Sequence, residues 1–381
     1  MAPRVLSIYS STPETREGAS PIPMTKSTGV RLQAKRERER LRAERPYRLP
    51  NPLAKHGGHF GRTVDAFCHV EKLLQGGAVY LRKLGDPSET FTKKELQEAW
   101  TFQQLEDAVP RFEAQVMASS ETELNEMGER IRSGFNRTRS NDTNKFKGEI
   151  LCWIGRPGEP LDPTLRRDVK TNRGFRSDST GRLLCPSHMD WSDPRVRNQL
   201  RSRGILLHDG ELPIFLWAGY QYDSENFWKG LLRSTILVWA FKFVFTSPSS
   251  VKGKTKRTRA SNSRIHGMTC VTPASIVYIA MQVYFALSSS EVFSSTASYQ
   301  SYPSVRPCEE EIFYKSLLDL LYNEEESTEV ADLLTWWDQQ IFGSRGDSGE
   351  RAAPAREEAA LAKIQEKRLT LQTILAVASQ A

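Results

Sequence analysis

The stretch Val330-Ala-Asp-Leu-Leu-Thr-Trp-Trp-Asp-Gln-Gln-Ile341 decides the fold class. Val330, Leu333, Leu334, Trp337 and Ile341 recur every three or four residues, so one face of an α-helix carries them all. Trp336 falls off that face, which makes it a packing residue on the helix's other side or part of a partner groove. The same period extends upstream. Glu309 to Tyr322 reads as a helix opened by three glutamates that suit its positive end. Thr272-Pro273 caps another, with Ile276, Ile279, Ala280 and Val283 on one side.

Earlier segments repeat the pattern less regularly. Phe60, Val64, Phe67 and Leu74 fall at helical spacing, and the folded part is expected to begin near Phe60. Thr92 and Glu95 form a capping box, after which Leu96 and Trp100 share a face up to the break at Pro110. Glu121 to Ile131 is helical, whereas the polar run Asn136 to Lys147 reads as a surface loop. Ile150 to Ile154 reads as a short strand or a buried turn, and Gly155 to Gly181 as an extended loop. Asp193-Pro194 starts a short helix that ends by Gly204. Leu206-Leu207 and Ile214 to Trp217 are candidates for a small hairpin, and Ser288 to Tyr302 for a loop. Nothing alternates strand and helix in the manner of a doubly wound sheet.

The expected architecture is therefore mainly α: one irregular helical domain over residues 60–345, with long loops and at most a few short strands. Its core draws on Leu96, Trp100, Leu232, Leu237, Trp239, Ile276, Ile279, Leu317, Leu321, Leu334 and Trp337. Residues 1–55 read as a disordered basic region and 346–354 as a linker. Residues 355–381 read as a C-terminal amphipathic helix carrying Leu361, Ile364, Leu371, Ile374 and Leu375, which packs on the domain or serves as a partner helix.

Composition narrows the classes. Eight Trp, eleven Tyr and seventeen Phe argue against disorder of the whole chain. The five cysteines stand far apart with no CxxC pair, as expected of a reduced intracellular protein. The first twenty residues show no apolar leader segment. Gly230 to Phe245 is the strongest membrane candidate, but Arg233 and Lys242 cut it far below the roughly 20 apolar residues a span needs, so no membrane partner is expected. Asn136 and Asn141 begin glycosylation triplets that mean nothing without a secretory route.

Charge is the functional clue. Residues 1–50 hold 11 Lys/Arg against 5 Asp/Glu, six of the formal net +7. The other 331 residues are together almost neutral, and inside them Lys252, Lys254, Lys256, Arg257, Arg259 and Arg264 follow one another with no acid between them. Small residues separate the charges, so the run can track a phosphate backbone; a nuclear-import signal has the same composition, and a solvated loop is the plain alternative. Gly253-Lys254-Thr255 is no phosphate-binding loop: Pro248 stands where the first glycine belongs, and no helix former follows.

The metal candidates are weaker. His188-Met-Asp190 matches two ligands of an iron-binding facial triad that His266 would close. An oxygenase using 2-oxoglutarate also needs a basic residue shortly after the distal histidine, and the next one is Arg306. Cys185 with His188 is half of a zinc pattern, completed by His266 and Cys270 only if the fold brings the pairs together.

Four segments resemble an uncharacterised family of basidiomycete fungal proteins, a domain of unknown function. They are Gly181 to Trp191, Phe245 to Ser250, Arg264-Ile-His-Gly-Met-Thr-Cys-Val-Thr-Pro-Ala-Ser275 and Leu334 to Phe342. The resemblance covers roughly residues 60–345. It implies a fungal origin and supplies no activity, cofactor or catalytic residue. The expected function is a non-enzymatic intracellular interaction protein, nuclear on the import reading, that meets nucleic acid or an acidic protein through the basic run. No cofactor is expected. The alternative is a metal-dependent enzyme built on His188, Asp190 and His266.

Overall fold

The structure, a computed structural model, describes residues 51–155, 161, 164–202, 211–247, 261–291, 308–343 and 356–378. Among them the chain is mainly α. Helix α1 spans Pro52–Thr63, with the Asn51 side chain accepting from the Leu53 amide and proline at its first turn. It begins eight residues before the start expected at Phe60. Helices α2 (Val70–Leu84), α3 (Lys93–Ala108) and α4 (Phe112–Ala118) follow. The Thr92–Glu95 box opens α3 as the sequence indicates.

Helix α5 runs unbroken from Glu121 to Ile154, 34 residues opened by a Ser120–Glu123 capping box. At 1.5 Å per residue it is about 51 Å long. It corrects two expectations. Asn136 to Lys147 is not a surface loop but the middle of this helix, and Ile150 to Ile154 is its last turn.

Short elements come next: α6 (Asp178–Leu184) and α7 (Pro194–Ser202), with a 3-10 turn at Gly174–Arg176. The stretch expected as an extended loop thus holds helical turns. Leu206-Leu207 lies outside the described residues. Ile214 to Trp217 is no hairpin strand: Ile214–Leu216 is a 3-10 turn, and only isolated bridges, Pro186 with Pro213 and Trp217 with Leu231, occur among the described residues. Helix α8 (Thr235–Phe241) widens into a π turn over Lys242–Thr246.

Then come the one-turn α9 (Asn262–Ile265), α10 (Pro273–Leu287), α11 (Glu309–Leu321), α12 (Ser327–Phe342) and α13 (Arg356–Ala378). Every residue of α10 except Tyr284 is buried, so the single apolar face legible in its sequence understates a helix covered all round. Its C-terminal carbonyls are met by two buried cations: Arg173 donates to Ala286 O at 2.8 Å, and Lys170 donates to Phe285 O.

Two apolar cores result. One gathers Phe60, Val70, Leu74, Phe102, Leu105 and Phe112 around the first half of α5. The other gathers Phe215, Trp217, Phe241, Ile276, Ile279, Leu317 and Trp337 around its second half. Of the expected core, Leu96 and Trp100 are only half-buried, because α3 turns Ala99, Phe102 and Leu105 inward instead, and Trp239 is half-buried on α8, which buries Ile236, Leu237, Ala240 and Phe241. Helix α13 lays Ile364 into the first core and buries Ala360, while Leu369, Ile374 and Val377 stay exposed.

Between the cores α5 buries polar side chains. The Arg62 guanidinium donates to both Asp142 oxygens, at 2.8 and 2.7 Å, and Tyr278 donates its hydroxyl to the same carboxylate at 2.8 Å. Thr143 donates to Gln282 at 3.0 Å, and Arg139 donates to Ala66 O at 3.1 Å.

Candidate site at the root of the basic run

Lys252, Lys254, Lys256, Arg257 and Arg259 lie outside the described residues, as do residues 1–50 and the linker 346–354. The structure does fix where the run rejoins the fold. Ser261 accepts from the Arg264 amide, capping α9, and the Asn262 side chain donates to Val244 O on the π turn. Arg264, the sixth basic candidate, is exposed. The backbone then turns through Gly267, at φ +66° with open space around it, into the cap of α10. There the Thr272 hydroxyl donates to Thr63 O, the end of α1, at 2.8 Å.

That contact joins the basic run to α1, whose sequence Pro52-Leu-Ala-Lys-His-Gly-Gly-His-Phe-Gly-Arg-Thr63 has two characters. The glycines press against α5. A Cβ on Gly57 would stand 2.2 Å from Ile131 O, and one on Gly134 only 1.8 Å from Ala54 O. Lys55, His56 and His59 are left on the remaining surface, exposed or half-buried. The His59 ring stacks on His266, with centroids 4.2 Å apart and the planes parallel. His59 Nδ1 is buried without a hydrogen-bond partner. Lys55 makes no ion pair among the described residues.

The electrostatics of this corner are one-sided. Burial is the main cause that lowers His59 to about 3, and His266, Arg62 and His56 lower it further. Burial likewise takes His266 down to about 4, with Lys55, Arg62 and His56 adding to it. His56 is lowered by burial and Lys55. Asp142 lies nearby through Arg62, but its oxygens are taken by Arg62 and Tyr278. The arrangement offers hydrogen-bond donors and positive potential, which suits an anion.

The metal candidates do not meet. His188 Nε2 lies 3.8 Å from Glu211 Oε1 on an exposed segment. Asp190 accepts from the Ser192 amide and hydroxyl, which hold its carboxyl below the usual range. His266 is spent on His59. Cys185 is buried, and burial pushes its thiol up to about 11. Among the described residues no three His, Cys, Asp or Glu side chains form a group that could hold a metal ion.

A cleft of about 530 Å³ opens between α2 and α3. Leu73, Tyr80 and Phe91 give it an apolar lining, with charges of both signs at Asp65, Lys83, Glu95 and Arg356. It favours no one ligand charge. The α1 cations were absent from the sequence candidates because the fold was expected to start at Phe60. Asn51-Pro52, a cap followed by a first-turn proline, was the signal for an earlier start.

A mainly helical protein whose described residues form two cores along one long helix is the class these observations define. The Family of unknown function (DUF6698) matches residues 133–342, and the chain belongs to that family. The match begins inside α5 and ends at α12, so it takes in the basic run and His266 and leaves out α1 and α13. No curated protein and no solved structure matches the chain. Among the described residues no helix is long and apolar enough to cross a membrane.

Proposed function

We propose that this protein is a non-enzymatic interaction protein that holds the phosphate backbone of nucleic acid, with little sequence preference, through Lys252, Lys254, Lys256, Arg257, Arg259 and Arg264. The observation that carries the reading is the seating of the run's C-terminal root against α1, where Lys55 supplies positive charge, His56 and His59 supply imidazoles, and the groups acting on the stacked rings are basic. Phosphate binding by such a surface displaces counterions and falls steeply with salt. The reading includes an intracellular, nuclear place of action in a basidiomycete fungus, where the same run serves for import.

The test is binding of the full chain to a random double-stranded DNA and to an RNA at two salt concentrations. A variant with Lys254, Lys256, Arg257 and Arg259 all changed to Ala is compared under the same conditions. Salt-sensitive binding, weakened several-fold in the variant, is expected. Equal binding by wild type and variant at low salt would sink the proposal.

A further inference from the structure

We propose that the stacked His59–His266 pair, with Lys55 and His56 beside it, is a seat for one phosphate of the bound backbone, and that filling the seat takes up a proton. This rests on the reading that the partner carries phosphates. Three observations lead there. The two rings lie parallel at 4.2 Å, each only partly covered, where the basic run returns to the fold. His59 Nδ1 is buried without a hydrogen-bond partner, so the ring's hydrogen-bonding capacity is not taken up within the protein. Every charged or titratable group that bears on the rings is basic. Helix α1 supplies Lys55, His56 and Arg62, and each ring faces the other. From α5 and α10, Asp142 and Tyr278 are committed to Arg62 and to each other.

A phosphodiester suits this corner better than a lone carboxylate side chain. Its two free oxygens share one charge, so one can accept from an imidazole N–H while the other meets the Lys55 ammonium. An empty seat keeps both rings neutral, because a proton there would be buried among cations. An anion reverses that balance, and one ring gains a proton as the phosphate arrives. An exposed lysine or arginine holds its charge throughout mildly acidic to neutral pH, so at this corner only the histidines make binding depend on pH.

The experiment measures affinity of the full chain for a random DNA duplex at pH 5.5 and 7.5, at one ionic strength. Wild type, a His59→Gln/His266→Gln double variant, Lys55→Ala and the fourfold basic variant are compared, each checked for a native thermal melt. Inorganic pyrophosphate is titrated separately while the imidazole nitrogens are followed by NMR. Wild type should bind up to about a hundredfold tighter at pH 5.5, tenfold for each pH unit over which one proton is taken up. The double variant should lose most of that difference, and the fourfold variant should keep it at lower overall affinity. Lys55→Ala, at an exposed position that cannot disturb the fold, should bind several-fold more weakly at pH 5.5. Salt-sensitive binding with the same pH dependence in wild type and double variant would overturn the seat and leave the nucleic-acid reading standing. Pyrophosphate shifts at His59 and His266 without DNA binding would support the seat and sink the nucleic-acid reading.

Discussion

Asp142 shows how a single polar residue can be decisive and still misread. In sequence it sits in Ser-Asn-Asp-Thr-Asn, which looks made for solvent. In the fold it is 2 % exposed and joins Arg62, 80 positions earlier, to Tyr278, 136 positions later. Removing the carboxylate leaves the Arg62 cation buried without its counter-charge. Asp142→Ala is expected to cost about 3–5 kcal/mol in urea unfolding. Tyr278→Phe removes one hydrogen bond and should cost about 1 kcal/mol. The same corner sets a pH response of the unliganded protein. Folding depresses His59 and His266 to about 3 and about 4, whereas the unfolded rings titrate near the ordinary 6.5. As pH falls below 6.5 the unfolded chain binds protons that the folded pair refuses, so stability drops towards pH 4. Urea midpoints at pH 7 and pH 5 should differ less for His59→Gln/His266→Gln than for wild type.

Elements were legible where one period and one cap governed them. Thr272-Pro273, Thr92 with Glu95, and the Val330–Ile341 face all gave helices where expected, because local pattern and burial agree there. Helix α5 failed that test over its second half. Its polar residues are buried through partners supplied by α1 and α10, which no local window contains. The segment from Glu211 to Arg233 failed for another reason: its aromatics pack without any period, held by 3-10 turns and the left-handed residues Gly219, Tyr220 and Leu232. The candidate site was half legible. Charge composition exposed the run, but the α1 face needs the knowledge that glycines turn the other side of that helix onto α5. Gly134→Ala tests this contact directly. Its Cβ would lie 1.8 Å from a backbone oxygen of Ala54 and 2.6 Å from that residue's Cα, neither of which is a movable side-chain tip. Helix α1 must back away, at a cost of about 1–3 kcal/mol or more. The expected readout is a lower melting temperature together with altered His59 and His266 resonances.

On the scale of the whole molecule, charge and packing are divided between different parts of the chain. Helices carry the two cores, and their surfaces are laced with ion pairs such as Lys83 with Glu95 at 2.6 Å and Lys363 with Asp107 at 2.5 Å. Helix α13 is held the same way: Lys367 pairs with Glu106 and Glu113, and Arg368 donates to the carbonyls of Lys83, Leu84, Asp86 and Glu89. Such pairs contribute little to stability individually, and each ties a cation to a carboxylate instead of leaving it to an anion. Residues 1–50 and Lys252 to Arg264 carry a net +6 each, against which the rest of the chain is net acidic by five. Each phosphate neutralised on duplex DNA contributes about −0.9 to the slope of log affinity against log salt. Four alanines in the run should therefore make the slope shallower by about 3 to 4, whatever residues 1–50 contribute, because that part is common to both proteins. A shift of that size would place all four cations on phosphates. A slope unchanged by the substitutions would mean that residues 1–50 alone carry the electrostatic contact and the run at Lys252 is idle.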